Sequence, residues 1–174
     1  EGPKTGVTIG EGYQRSVQLL DEVRPDLVVI DGNISERDEL LREVKYDIER
    51  GVVASIVIFP EGVDPNHVNG IRVCEDESIQ EPFDVGDLVE LAEAELSRVT
   101  EERNFFAQEI HFQFQTSEEW IEKANDLVGR LIDQAKMDEE KAAALAVAFR
   151  EAVDNAARHG NKNQEQKLID AIYL

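Results

Sequence analysis

Cations are scarce in this chain: Lys and Arg number 18 among 174 residues against 38 Asp and Glu, a formal net charge of -20. Such a surface repels a phosphate backbone, which argues against sequence-independent nucleic-acid binding. The acids are spread along the chain and not gathered in a tail, the pattern of a solubilised surface. A single cysteine, Cys74, excludes an internal disulfide, and no paired Cys or His spacing suggests zinc. No apolar run approaches the ~20 residues of a membrane helix. Glu1-Gly2-Pro3-Lys4 does not read as a signal peptide. Repeats and low-complexity linkers are missing too. These absences point to a cytoplasmic protein with neither nucleic acid nor membrane as partner. Hydrophobic residues nevertheless make up 41% of the chain, enough for one large core or two small ones.

What is present begins with alternating strand and helix patterns. Val17, Leu19, Leu20 and Val23 precede Arg24-Pro25-Asp26, after which Leu27-Val28-Val29-Ile30-Asp31 is a continuous apolar run ending in an acid. Such a run reads as a parallel strand buried on both faces, with Asp31 at the carboxyl edge where open α/β sheets bind ligands. A helix with Leu40, Leu41, Val44 and Ile48 follows and closes at Gly51. Val52 to Phe59 is a second buried strand, stopped by Pro60. Ile71-Arg72-Val73-Cys74 comes next, then Glu81-Pro82-Phe83-Asp84 and a helix through Leu88, Leu91, Ala92 and Leu96. Short connections between such elements predict a partial doubly wound parallel sheet. The last helix pattern continues through Val99 to about Phe106 near heptad spacing, a connector that could pair in a homodimer or lie against its own domain.

From its second strand onward this stretch resembles a response-regulator receiver domain. Arg24-Pro25-Asp26-Leu27-Val28-Val29-Ile30-Asp31 is similar to the strand that ends in the phosphorylatable aspartate, and Glu81-Pro82-Phe83-Asp84 to the Lys-Pro-Phe segment. The resemblance makes Asp31 the phosphoacceptor-like position. Glu81 stands where the family has lysine, Phe59-Pro60 where it has a hydroxyl and a small residue, and Gly32-Asn33 where it has Met-Pro. The family's first strand with its acidic pair is missing. A glutamate beside an acyl phosphate repels it where a lysine would neutralise it. The expectation is a degenerate receiver serving as a docking or signalling module.

The second half opens with Glu109 to Gln115, where Ile110, Phe112 and Phe114 alternate with polar residues as in a half-buried strand, and His111 is a surface residue of it. Thr116-Ser117-Glu118-Glu119 starts a helix carrying Trp120, Ile121, Ala124, Leu127, Val128, Leu131 and Ile132 at helical spacing. Asp138-Glu139-Glu140 starts another, and Lys167 to Leu174 is an apolar, strand-like run. On that second helix Glu151, Asn155 and His159 recur at i, i+4 and i+8, a polar stripe beside Ala142, Leu145, Ala146, Phe149 and Val153. The apolar positions seat the helix in a core while the polar stripe faces a cleft.

Glu151-Ala152-Val153-Asp154-Asn155-Ala156-Ala157-Arg158-His159-Gly160 resembles the N-box of the Bergerat-type ATPase and kinase superfamily, most closely its anti-sigma-factor serine kinases. The order strand, helix, N-box helix, strand is the order in which that α+β fold begins. The resemblance implies ATP and Mg2+ as cofactors, Asn155 as the metal ligand, His159 beside it among the nucleotide-binding residues, and Glu151 as the catalytic carboxylate. Later glycine-containing boxes of the form Asp-x-Gly-x-Gly do not follow His159, so the expectation is a fragment, truncated at both ends, that holds ATP weakly.

The expected layout is a receiver-like domain over residues 1–98, a helical connector over 99–108 and a truncated histidine-kinase-like ATPase domain over 109–174. Three functions fit it. The first is an anti-sigma-type serine kinase with a receiver-like sensor, acting on a sigma factor or an anti-sigma-factor antagonist. The second is a non-catalytic partner-switching protein that binds one of these. The third is a sensor histidine kinase, ranked last because no helix pair carries a phosphoacceptor histidine.

Overall fold

The computed structural model describes residues 6–65 and 67–174; Glu1 to Lys4, read above as no signal peptide, lie outside them. Helix α1 (Tyr13–Val23) buries Leu20 and ends where Arg24 turns left-handed at φ 50° and donates its N–H to the Leu20 carbonyl. Pro25 then prevents any continuation. Strand β1 (Leu27–Asp31) leads to α2 (Arg37–Tyr46), which has Asp38 and Glu39 in its first turn and Lys45 in its last, the charge order that suits a helix dipole. A 3-10 turn (Ile48–Arg50) and Gly51 at φ 71° deliver the chain to β2 (Ala54–Phe59). Strands β3 (Ile71–Val73) and β4 (Glu77–Gln80) follow, then α3 (Val85–Glu102), capped by Asp84.

The remaining elements are β5 (Ile110–Gln115), α4 (Glu118–Gln134), α5 (Glu139–Asn155), a π-helical turn (Ala156–Gly160) and β6 (Leu168–Tyr173). The fold is mixed α/β: β1, β2 and β4 form a parallel sheet in that order, and β3, β5 and β6 form an antiparallel one. The parallel sheet carries α2 on the face of Ile30 and Val57, while α3 lies on the opposite face, where Val99 joins Val52 and Ala54. In the antiparallel sheet Ile110, Phe112 and Phe114 are all buried, as their alternation predicts.

Three expectations change. Ile71-Arg72-Val73-Cys74, read with the parallel sheet, instead crosses over: Ile71 pairs with Phe114 and Val73 with Phe112, antiparallel. The place beside β2 is taken by β4, which the sequence conceals because Glu77, Ser78 and Gln80 are solvated on an edge strand and only Ile79 is half-buried. Second, β1 is not buried on both faces, since Val29 is 44% exposed at the sheet edge. Third, the helix expected to run to about Phe106 ends at Glu102, and its stripe is used within the chain where Val99 packs against the parallel sheet. The main buried cluster runs without interruption from Leu20 through Val57 and Phe112 to Ile169, across the junction at 99–108.

A buried polar knot holds this crossover. Lys45 Nζ on α2 donates to Asp76 Oδ2 at 2.5 Å and to the Val53 carbonyl at 2.9 Å. Ser55 on β2 gives the same carboxylate oxygen its backbone N–H at 2.7 Å and its hydroxyl at 2.8 Å. The Lys45 side chain is 2% exposed and that of Asp76 10%. Asp76 sits in the link between β3 and β4, where the chain passes from one sheet to the other.

Breaking a buried pair from one side strands the other charge. Lys45→Met should therefore lower the unfolding free energy in urea by about 3–5 kcal/mol, and Lys45→Met with Asp76→Asn should recover part of that loss. A single-variant loss below about 1 kcal/mol would show that the pair does not hold the crossover.

Candidate functional site

Helix α5 is built to be anchored along one line. Asp138 Oδ1 accepts from the Glu140 N–H at 3.1 Å and the Lys141 N–H at 3.4 Å, which fixes the helix start. Ala142, Ala146 and Phe149 pack on the core, and Val153 and Ala157 are buried, all near one face at helical spacing. Phe149 lies 6.3 Å from Phe112, ring centre to ring centre, so the helix is tied to the central strand β5.

The polar stripe lies outside that line. Glu151, Asn155 and His159 are all exposed. Two cavities occur elsewhere: one of about 200 Å3 among Leu20, Arg24, Val44, Arg50, Val53 and Arg103, and a wider one of about 700 Å3 between the end of α2 and the end of α4. Helix α5 rests on α4. Glu151 and Asn155 stand one turn apart, and neither has a hydrogen-bond or ion-pair partner among the described residues. Beside them Asp154 is engaged by Arg158 at 2.8 Å.

His159 departs from the stripe for a backbone reason. It lies in the π-helical turn, whose i to i+5 bonding advances each residue less around the axis than α spacing does. The turn is pinned by a residue that the sequence reading missed. Asn161 Nδ2 donates to Thr116 Oγ1 at 2.6 Å and to the Leu168 carbonyl at 3.0 Å, tying the end of the turn to the start of α4 and to β6. Only its place directly after Gly160 hinted at this.

The pair Glu151 and Asn155 fits the metal side of a nucleotide site in part. Mg2+ takes oxygen ligands, keeps waters and borrows phosphate oxygens, so few ligands need come from the protein, and the Asn155 carboxamide oxygen is of the right kind to be one of them. No group of three or more His, Cys, Asp and Glu side chains among the described residues is placed to hold a metal by itself.

At the other candidate position the parallel register gathers the three residues singled out in the sequence. Asp31 is level with Ile58, Phe59 with Gln80, and the Glu81 N–H donates to the Phe59 carbonyl at 2.9 Å, so Asp31, Phe59 and Glu81 share the carboxyl edge of the sheet. The Asp31 carboxylate is already engaged: Oδ1 accepts from the Asn33 N–H at 2.9 Å and from Asn33 Nδ2 at 3.0 Å. Gly32 is required there, since a Cβ would come within 2.5 Å of the Ile58 carbonyl oxygen. Arg37 lies 5.2 Å over the buried Phe59 ring and is paired with Asp38 at 2.8 Å.

His111 is on the outer face of β5, as expected, with Nε2 2.6 Å from Asp170 Oδ1. Cys74 faces it across the ladder, its N–H donating to the His111 carbonyl at 2.8 Å. Burial pushes the Cys74 thiol up to about 12, so this Cys, His and Asp neighbourhood contains no thiolate nucleophile at neutral pH.

Acetyl phosphate should leave the intact mass of the protein unchanged, because Asp31 is held in its own turn and Glu81 supplies repulsion. Glu81→Lys should raise labelling at Asp31. Stable phosphorylation of the unaltered protein would show a working phosphoacceptor. No family model, no curated protein and no solved structure matches the chain, so the chemistry of both positions rests on their own residues.

Proposed function

We propose that this chain belongs to a cytoplasmic signal-transduction regulator of the anti-sigma serine-kinase type, in which α5 carries the phosphate side of a Mg2+-ATP site and the parallel-sheet half is a receiver-like regulatory module. The observation that carries this reading is the pair Glu151 and Asn155, one turn apart, exposed and unengaged on a helix whose opposite face is fixed by Val153, Ala157 and Phe149. Unengaged polar groups on a rigid element are poised for a ligand, whereas Asp31, committed to Asn33, is not.

In this reading the Asn155 carboxamide oxygen would be a ligand for Mg2+, and the ion would supply charge neutralisation for the phosphates. Glu151 orients a serine hydroxyl of the protein substrate and takes its proton as the oxygen attacks the γ-phosphorus and ADP leaves. The substrate is a sigma factor or an anti-sigma-factor antagonist, as the N-box resemblance implies.

One observation favours a second reading, non-catalytic partner switching. From Ala142 to Phe149 the helix has no charged residue, and Leu145 and Val147 on its outer flank are 41% and 55% exposed. A flank of this kind suits protein docking as well as a nucleotide. A sensor histidine kinase is third, because His111 lies in a strand and is held by Asp170.

Amide and side-chain NMR during titration with Mg2+-ATP separates these readings. The expected result is weak, about millimolar binding, consistent with the small ligand surface that an exposed stripe can cover, with shifts confined to Glu151 to Gly160, dependent on Mg2+ and lost in Asn155→Ala. Glu151→Ala should retain them. Absence of any Mg2+-dependent shift in the unaltered chain would leave the partner-switching reading in place of the kinase.

A further inference from the structure

Arg98 on α3 is surrounded by four carboxylates. Glu95 lies at 2.9 Å, Glu109 at 2.7 Å and Asp76 at 3.2 Å, and Glu102 is also in direct contact. The same guanidinium nitrogen, Nη1, donates to both Glu102 and Glu109, so these two side chains are neighbours across the junction between α3 and β5. Among the described residues the other cation in the group is Lys45, already bound to Asp76. Four acids thus meet two bases in a half-buried place. Two carboxylates held against one another do not both ionise freely, and a shared proton relieves the repulsion.

We propose that Glu102 and Glu109 form a proton-sharing carboxyl pair that acts as a pH-operated latch between α3 and β5. With one proton between them, one carboxyl donates a hydrogen bond to the other and the junction is closed under Arg98. With both ionised, the pair repels and the segment from Arg103 to Glu109 loosens. That segment is suited to such a movement. Phe105 is 80% exposed, while Phe106 packs on the cluster of Val52, Ala54 and Val99, and Gln108 Nε2 donates to the Lys45 carbonyl at 2.9 Å. Opening it would loosen the contact between the strand that centres the antiparallel sheet and the helix that holds the polar knot.

The titration has a definite sign. Burial, with Glu102 adding to it, raises the Glu109 carboxyl above the usual glutamate value against the pull of Arg98. An acid raised in the folded state binds its proton more tightly there than in the unfolded chain. The latch therefore contributes fully below the ordinary glutamate value, and its contribution is lost as pH rises through the folded value. Glu95 and Asp76 face the same guanidinium.

Carboxyl carbon NMR of the full chain, labelled at glutamate and followed from about pH 8 to about pH 4, reads the pair directly. The Glu109 carboxyl should titrate above the usual glutamate range. Over the same interval down to about pH 5.5, amide exchange at Phe106 and Gln108, corrected for intrinsic chemistry, should slow by about threefold or more. Glu109→Gln, which can donate to Glu102 without a proton, should keep those amides protected at both ends of the interval while leaving α4 and α5 unchanged. Titration of Glu109 at the ordinary glutamate value overturns the proposal. So does linker exchange in the unaltered chain that does not slow on acidification, or exchange in Glu109→Gln with the unaltered chain's pH dependence.

Discussion

Asp76 takes the buried ammonium of Lys45, the hydroxyl and N–H of Ser55 and one edge of Arg98, and everything that distinguishes this fold passes through that carboxylate. The chain leaves the antiparallel sheet at Val73 and enters the parallel sheet at Glu77, and Asp76 is the residue at the exchange. A carboxylate in such a place is costly unless its lone pairs are met, and here α2 and β2 contribute donors while Arg98 of α3 adds its positive charge at 3.2 Å. The requirement works in reverse as well. Those three elements are brought into one arrangement by the need to satisfy a single buried charge, and hydrophobic packing alone, which is not directional, would leave more freedom.

The arrangement explains why β5 can be the anchor for the candidate site. Its inward side chains Ile110, Phe112 and Phe114 join the main core, with Ile71 and Val73 on one side and Ile169 and Ala171 on the other. Phe149 reaches Phe112, and through this contact α5 inherits the rigidity of the sheet. The polar row of α5 is thus held from behind and open in front. The same distribution leaves the uncharged outer flank around Leu145 and Val147 exposed, in a molecule whose surface elsewhere carries the large acidic excess.

Charge is managed differently at the two ends of this structure. At the junction, Arg98 concentrates four acids into one half-buried group, where their protonation is coupled to geometry. Along α5, acid and amide are dispersed in water, where each is free to take a ligand but contributes little to stability. The first pattern ties two elements together and the second leaves its side chains unengaged, although both draw on carboxylates.

Local patterning was enough to read the helices α2 to α5 from their apolar spacing and start or stop signals, β1 and β2 from their continuous runs, and β5 from its alternation, because each of these signals is contained within a few residues; α1, whose apolar residues were noted without a helix, was assigned by the structure. The stripe of Glu151 and Asn155 was legible for the same reason, since an α-helix converts spacing into a face. Three things needed the tertiary structure. The partner of Ile71 to Val73 lies about forty residues downstream, and strand pairing at that distance depends on which surfaces meet, not on local propensity. The polar edge strand β4 exists only because β2 offers it a ladder. The exposure of the α5 row and the departure of His159 from it were decided by α4 taking the inner face of the helix and by Asn161 pinning the turn beyond it, contacts that no spacing in the sequence encodes.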